Sequence, residues 1–325
     1  MICAVLALMA PAPMYPAKFE IHAPAAKAVV MRGDLRGWER DMPLTKAANG
    51  QWSVTVDVPR DARIEYKFVV DGVWQLDPRA ARGPNGLGGE NSIWTGPDYR
   101  AVAPVQPPAR RNWGQIKTTL TSKEGYAYAV EMWRPPQDAR DMPVLIYNDG
   151  SGYAEYAQLP NQVQNLVAAR QLPPVVLVLV TSPNRERDYW KEPDPYLAFV
   201  GARLLPWVRQ TTGAVARREH TLMGGASLGG LISLRAGTRM PETFGMVHAQ
   251  SPSLWAEPIL AQAAGLKGAR LAIDGGTYEG FPAVGDALVR HQNVVHRQDR
   301  PEGHTWSQWR ETVAPALRAL LSEAR

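Results

Sequence analysis

The first part of the chain, residues 16–99, shows short stretches in which hydrophobic and polar positions alternate. This period of two is typical of β-strands with one buried face. Every second residue of 51–58 is apolar, and residues 28–32 and 64–70 are further strand candidates. No segment with helical periodicity interrupts them, so the pattern predicts a small immunoglobulin-like β-sandwich. Two strong turn dipeptides lie between the stretches: Asn49-Gly50 and Asp71-Gly72.

The pattern changes in residues 114–325, where apolar runs alternate with segments of helical spacing. Residues 175–180 read VVLVLV, as expected for a parallel strand that is covered on both faces. Residues 196–208 and 313–322 have apolar positions at helical spacing. Strand–helix alternation over this length predicts an α/β fold with a doubly wound sheet. The other predicted strands are 144–147, 221–223, 245–249, 269–273 and 294–296.

Two segments lie outside these domains. Residues 100–113 are rich in proline and lack periodicity, which predicts a semi-rigid linker. Residues 1–15 begin with the apolar run MICAVLALMA followed by Pro-Ala-Pro, which looks like the end of a secretory signal without its basic leading segment. We expect a periplasmic or secreted protein, the alternative being a cytoplasmic one with a disordered or buried N-terminus.

Composition excludes several classes of protein. The 36 Lys and Arg exceed the 31 Asp and Glu by only five, without a block of like charge, so we expect no nucleic-acid partner. No run of 18 apolar residues indicates a membrane span. The one cysteine, Cys3, excludes an internal disulfide and a catalytic thiol in the body of the protein. No metal-ligand motif occurs, since His291 and His296 stand alone, and we expect neither metal nor cofactor.

The segment Gly225-Ala226-Ser227-Leu228-Gly229 fits the nucleophile elbow G-x-S-x-G and lies between a predicted strand and a helix. The glycines permit a turn so tight that side chains two residues before and after the serine would collide. Ser227 is therefore the predicted nucleophile. The alternative is that this segment is only the glycine-rich start of a helix and that Ser227 has a structural role.

A serine hydroxyl needs a base, and in this fold the order along the chain is serine, acid, histidine. His22 and His220 precede Ser227, and His248 follows too early to leave room for an acid. His291 and His296 fall in a predicted helix and strand. His304, in a loop after the last strand, is the predicted base.

The acid that orients the imidazole should follow the strand that ends near residue 273. Glu279, further out in the loop, is preferred, because Asp274 is so close to the strand that it could point along it. Asp286 and Asp299 stay open as alternatives. Whichever residue it is, its role is to fix the tautomer and stabilise the imidazolium.

Two backbone N–H groups should form an oxyanion hole. One is expected from Leu228, next to the nucleophile. The other is expected from Ser151 in the flexible loop Asn148–Gly152, with Gly150 as the neighbouring candidate. The alternative is that this loop is only a turn.

From about Gly114 onward, the chain resembles the esterase D-type α/β-hydrolases, which include enterochelin esterases, feruloyl and acetylxylan esterases, and mycolyltransferases. The resemblance implies Ser227, Glu279 and His304 as nucleophile, acid and base, and Ser151 as an oxyanion donor. The matching segments are Asp149-Gly150, Leu204–Trp207, Gly225–Gly230, Phe244-Gly245, Ser251–Trp255, Gly276–Glu279, Gly303–Trp306 and Trp309-Arg310.

The N-terminal domain resembles a family 48 carbohydrate-binding module, the type found ahead of isoamylases. The resemblance implies glucan contacts by Trp38, Lys67, Trp74 and Asn91, and so possible glucan or xylan binding. The alternative is a packed appendage. The matching segments are Gly37-Trp38, Met42–Leu44, Tyr66–Trp74, Asp77-Pro78 and Glu90–Ser92.

Different features of the sequence favour different substrates. The glucan-type module favours acyl or feruloyl esters of carbohydrates, which we take as the expected substrates of a serine esterase that forms an acyl-enzyme. The loop with Arg185 and Arg187 favours a siderophore trilactone, unless both arginines only pair with Glu186 and Asp188. Trp255 is expected in the acyl pocket or as a buried structural residue. An acyltransferase and an inactive glycan-binding protein are further alternatives.

Overall fold

The computed structural model describes residues 13–102, 105–110, 112–136, 140, 142–214, 217–261, 264–266 and 268–322. The signal-like run at residues 1–10 lies outside them. The chain forms two compact units, one of Met1–Val102 with Pro301–Gly303 and the other of Ala103–Arg300 with His304–Arg325. Within the described part of the chain, no helix is long and apolar enough to cross a membrane.

The first unit contains two packed antiparallel sheets, in the orders β1-β5-β4 and β3-β2-β6-β9-β8, with β7 paired to β6. Phe19 of β1 meets Tyr66 of β6 edge to face at 4.9 Å, which joins the sheets across the core. The sandwich prediction is confirmed. Its strands are β1 Met14–His22, β2 Val29–Gly33, β3 Gly37–Pro43, β4 Thr45–Lys46, β5 Gln51–Pro59, β6 Arg63–Val70, β7 Val73–Gln75, β8 Ala81–Pro84 and β9 Glu90–Thr95.

The second unit is built on an eight-stranded sheet in the order β10-β11-β13-β12-β14-β15-β16-β17. The first two pairings are antiparallel, and all pairings from β13 onward are parallel. The strands are β10 Gly114–Thr121, β11 Ala127–Arg134, β12 Val144–Asn148, β13 Val176–Thr181, β14 Thr221–Ala226, β15 Met246–Gln250, β16 Arg270–Gly276 and β17 Val294–Arg300.

Helices cover both faces of this sheet, so the predicted α/β class is confirmed. Along β13, Val176, Val178 and Val180 pack on one face, whereas Leu177 and Leu179 pack on the other. This two-sided burial explains why the run VVLVLV contains no polar position. The helices are α1 Gly150–Glu155, α2 Leu159–Ala168, α3 Pro193–Phe199, α4 Leu205–Thr212, α5 Leu228–Arg239, α6 Phe281–His291 and α7 Trp306–Leu320.

Two predicted helices differ from those observed. The helix expected over 196–208 is divided by a π-helical turn at Val200–Leu204. Pro206 follows it in the first turn of α4, and without an N–H it cannot continue the regular bonding pattern. The helix expected from residue 313 begins at Trp306, because the Thr305 side chain accepts a hydrogen bond from the N–H of Gln308 and caps the helix start.

The strand order places a crevice above β12. The chain leaves β12 for β13 on one side and later returns to β14 on the other. Connections that run in opposite directions open a crevice at the carboxyl ends of the strands, where ligands bind in such sheets. Asp149 and Ser227 follow β12 and β14 at this edge.

Candidate active site

The predicted elbow forms a strand–turn–helix in the structure. β14 ends at Ala226 and α5 begins at Leu228, while Ser227 between them has φ 60° and ψ −122°. A Cβ on Gly225 would lie 2.6 Å from the backbone of Gly229, so a side chain there would collide with the helix. The N–H of Ser227 donates to the carbonyl of Gln250 at 2.9 Å, which holds the strained residue in place.

His304 and Glu279 are brought together. His304 Nδ1 is 2.5 Å from Glu279 Oε2, and the carboxylate is largely buried while the imidazole is partly exposed. Burial raises the pKa of Glu279, but the hydrogen bonds of its carboxylate with His304, Ser251 and the N–H of Gly276 outweigh that effect and leave the pKa below its usual value. The carboxylate therefore stays charged beside the ring and can fix its tautomer.

The hydroxyl of Ser227, the predicted nucleophile, is hydrogen-bonded to a residue other than His304. Ser227 Oγ lies 3.3 Å from Ser253 Oγ. Ser227 and His304 are both described, and no hydrogen bond joins them. Catalytic hydrogen bonds are often loose without substrate, so the serine side chain must turn from Ser253 to the imidazole for proton transfer.

Asp274 serves a different network. It is fully buried, and its carboxylate is bonded to His248 Nε2 at 2.9 Å, not to His304. His248 Nδ1 is in turn 2.7 Å from the hydroxyl of Tyr147. The other two alternatives, Asp286 and Asp299, both pair with Arg297. Of the four carboxylates considered from the sequence, only Glu279 is bonded to His304.

One of the two predicted oxyanion donors is already engaged. Leu228 is the first residue of α5, where backbone N–H groups have no partner within the helix. The N–H of Ser151, in contrast, donates to Thr181 Oγ1 at 2.9 Å, so the prediction for Ser151 is corrected. Gly150, the neighbouring candidate of the same loop, begins α1 and takes its place as the predicted second donor.

Arg185 contacts a carboxylate of the protein. Its Nε and Nη2 lie 3.1 and 2.9 Å from the two oxygens of Asp149, a bidentate pair. A Cβ on Gly229 would be 3.0 Å from Asp149 Oδ2, so this carboxylate sits against the first turn of α5. Burial raises the pKa of Asp149, and the guanidinium opposes that rise. An anionic substrate would have to compete with Asp149 for Arg185.

Arg187 is a poor candidate for a substrate contact, which corrects the sequence-based expectation. Its Nε is 2.7 Å from Asp188 Oδ1, and its guanidinium lies 3.3 Å from the ring centroid of Tyr126. Only 18% of its side chain is exposed. The structure therefore agrees with the alternative from the sequence, in which Arg187 pairs with Asp188.

Trp255 is 69% exposed, so it is not the buried structural residue of the alternative hypothesis. Its ring meets Trp190 edge to face at 5.2 Å. It follows by two residues Ser253, whose hydroxyl contacts the nucleophile. The two indoles offer an aromatic surface to a substrate.

The sequence did not predict the side chains that surround the predicted triad. Ser251 is bonded to Glu279, and Gln308 donates to Asp274 at 3.0 Å. Asn148 is fully buried and accepts a hydrogen bond from Tyr196 at 2.6 Å. The sequence indicates Asn148 and Ser251 only in that each is a polar residue at the end of an apolar strand. Among the described residues, no group of three or more His, Cys, Asp or Glu could hold a metal ion.

Three of the four predicted glycan residues are at least partly accessible in the first unit. Trp38 and Trp74 stack with ring centroids 6.5 Å apart. Arg32 lies over Trp74, and Lys67 faces Arg32 across the β2–β6 pairing. Asn91 is only 5% exposed, and its amide donates to Glu65 at 2.7 Å. It is therefore not available to a glycan, and its predicted contact is corrected.

Comparisons with known proteins found two matching family models. Residues 125–320 match the model of the esterase family, and residues 15–94 match the glycogen recognition site of AMP-activated protein kinase. The iron(III) enterobactin esterase of Escherichia coli K12 is 27% identical over 254 residues, 73% of this chain. The match covers 62% of that relative's length.

Solved structures share the fold. The ferric enterobactin esterase of Salmonella typhimurium superposes with a TM-score of 0.76 at 21% identity, covering 95% of this chain and 94% of that one. A ferulic acid esterase has a TM-score of 0.56 at 18% identity and covers 65% of this chain and 98% of that one. At these identities the likeness establishes the fold alone.

The Asp149–Arg185 pair predicts a pH-dependent stability. In the variant Arg185→Met, burial of Asp149 is unopposed, so the pKa of Asp149 in the folded state rises further above its unfolded value. The folded state then holds its proton more tightly than the unfolded state, and stability is lost as pH rises through this interval. We expect the Tm difference from wild type to grow between about pH 4 and pH 8.

The matched control is Arg239→Met, because Arg239 pairs with the well-exposed Asp194. Its Tm difference should stay constant over the same range. Thermal unfolding in matched buffers measures both variants, and a pH-independent difference for Arg185→Met would contradict the prediction.

Proposed function

Because the chain belongs to the esterase family, we propose that it is a serine hydrolase that cleaves carboxylic esters through an acyl-enzyme. The observation that carries this proposal is the hydrogen bond between His304 and Glu279 in the unit that presents Ser227 on a strained elbow. The strain is consistent with function, since residues held in sparsely populated backbone conformations cluster at active sites.

The proposed reaction proceeds in two halves. Ser227 Oγ attacks the ester carbonyl carbon while His304 Nε2 takes its proton, and Glu279 holds the Nδ1 side of the ring. The N–H of Leu228 donates to the oxyanion of the tetrahedral intermediate. When the intermediate collapses, His304 returns the proton to the leaving alcohol. Water then attacks the acyl-enzyme with His304 again as base, which releases the acid and restores Ser227.

We further propose that the acid part of the ester carries an aromatic ring, which packs against Trp255 and Trp190. Two relatives support this class of substrate. Enterobactin esterase has been crystallised with 2,3-dihydroxy-N-benzoyl-serine, and a feruloyl esterase module with sinapinate. The catecholate trilactone is favoured by the 27% identity to the iron(III) enterobactin esterase over 73% of this chain. Feruloyl or acyl esters of carbohydrates are favoured by the match to a glycogen recognition site.

A competition assay distinguishes these substrates. The protein receives methyl ferulate, acetylated xylan fragments and a catecholate trilactone together, and chromatography resolves the products. We expect ferulate release or trilactone opening to exceed acetate release, and Trp255→Ala to lower kcat/KM for the aromatic esters about tenfold. Its turnover of 4-nitrophenyl acetate, the internal control, should change less than threefold. Equal losses on both kinds of ester would remove the aromatic surface from the proposal.

The nucleophile is tested by Ser227→Ala. Turnover of 4-nitrophenyl acetate should fall by about 10³-fold or more, because the covalent route is lost. A fluorophosphonate probe should label wild type at Ser227 and leave the variant unlabelled, as mass spectrometry of the peptide shows. Equal turnover by both proteins would sink the serine mechanism. Methyl ester formed in excess of the free acid, at a methanol concentration far below that of water, would indicate an acyltransferase.

We propose that Trp38 and Trp74 in the first unit stack on sugar rings of a glucan or xylan, with Lys67 and Arg32 as donors beside them. The expected affinity for the glycan is modest, because the two indoles form a single small stacking surface. Trp74→Ala should abolish the retardation of the protein on native gels that contain glycogen or xylan. Trp207→Phe, in the other unit, should leave it unchanged. If wild type runs equally with and without polysaccharide, the unit does not bind these glycans.

A further inference from the structure

Three residues other than glycine adopt left-handed backbone conformations at the ends of three adjacent strands. Asp149 follows β12 with φ 55°, Ser227 follows β14 with φ 60°, and Ser251 follows β15 with φ 40°. Such conformations are uncommon for residues with a Cβ and are found most often where function requires them. Asp149 and Ser227 have places in the site described above, whereas Ser251 has no part in the proposed reaction.

The side chain of Ser251 lies behind the catalytic acid. Its hydroxyl donates to Glu279 Oε1 at 2.6 Å and accepts a hydrogen bond from Trp309 Nε1 at 2.9 Å. Glu279 Oε2, the other oxygen of the same carboxylate, is the one that meets His304. Ser251 is 4% exposed, so its hydroxyl is shielded from bulk water.

The ring of His304 is supported from the same side. It packs edge to face on Trp309 at 4.8 Å, and Trp309 is the residue whose indole N–H is bonded to Ser251. The serine hydroxyl thus contacts both groups that touch the imidazole. A glycine at position 251 would adopt φ 40° without strain, so the hydroxyl is the feature that a serine adds at this position.

We propose that Ser251 is a positioning residue, which holds the Glu279 carboxylate in the orientation that fixes the tautomer and direction of the His304 ring. This inference rests on the proposed esterase function. Ser251 forms no hydrogen bond with Ser227 and acts through Glu279, while the bond from Trp309 Nε1 fixes the direction of its own hydroxyl. Without it, Glu279 Oε1 keeps only the hydrogen bond from the N–H of Gly276 at 2.6 Å. The carboxylate is then held less firmly against the ring, and fewer bound complexes have the base in place. Binding of substrate is unaffected.

The decisive variant is Ser251→Gly, which removes the hydroxyl and relieves the backbone strain together. We expect its Tm to stay within roughly a few degrees of that of wild type, because the relieved backbone strain offsets the hydrogen bonds lost by Glu279 and Trp309. We expect kcat on 4-nitrophenyl acetate to fall about 10- to 100-fold with KM within a factor of two. The matched control is Arg170→Gly, since Arg170 has φ 58° at an exposed turn after α2. It should gain stability and keep wild-type kcat. A Ser251→Gly enzyme with kcat within twofold of wild type would overturn the proposal.

A double-mutant cycle shows whether Ser251 acts through Glu279. In the background of Glu279→Ala no carboxylate remains to be held, so adding Ser251→Gly should change kcat less than threefold. An undiminished second loss would mean that Ser251 acts on its own, and the proposal would be wrong.

Nuclear magnetic resonance separates this inference from the proposed function. Wild type that turns over no faster than Ser227→Ala would disprove the esterase function but not the positioning of the ring. The downfield proton of the His304–Glu279 hydrogen bond reports that positioning without any turnover. We expect a resolved signal in wild type and Arg170→Gly, and its loss in Ser251→Gly. An unchanged signal in Ser251→Gly would overturn the positioning role.

Discussion

The buried carboxylate of Asp274 is the constraint on which the rest of the site depends. A charge that is removed from water needs several donors, and here four surround it. His248 and Gln250 come from β15, and Gln308 and Thr312 come from α7. The carboxylate of Asp274, which lies in β16, therefore links this strand to both β15 and α7. Strand β15 and helix α7 are far apart in the sequence.

The hydrogen bonds around Asp274 affect all three residues of the proposed triad. Gln250, fixed at its side chain by Asp274, uses its carbonyl to hold the N–H of Ser227. The backbone carbonyl of Asp274 holds the N–H of Ser251, whose hydroxyl supports Glu279. Helix α7 starts two residues after His304. The orientation of the proposed nucleophile, acid and base thus depends on a carboxylate that has no role in the proposed reaction, as is common for supporting groups in preorganised sites.

The sequence was informative where geometry is local. The spacing of glycines around Ser227 reflects a turn that only those residues permit, and the run VVLVLV reflects burial on two faces. Strand β10 was not predicted, because its mostly exposed edge positions, such as Lys117 and Thr119, weaken the apolar pattern. Strand β11 was not predicted either, although its residues 128, 130 and 132 are buried and alternate with more exposed positions. The engaged N–H of Ser151 could not be foreseen either. Its acceptor, Thr181, is thirty positions away in the chain and reaches it only through sheet pairing.

The separation of the triad along the chain has a consequence for its synthesis. The elbow is complete once α5 has formed, but its base lies beyond β17, at position 304. At roughly 5–20 residues per second, the ribosome needs about 4–15 s to add the chain from Ser227 to His304. During that interval, the growing chain already contains Ser227, but His304, the proposed base that would take its proton, has not yet been synthesised. On the proposed mechanism, the chain cannot activate Ser227 until His304 has been synthesised and the docking of α7 has completed the site.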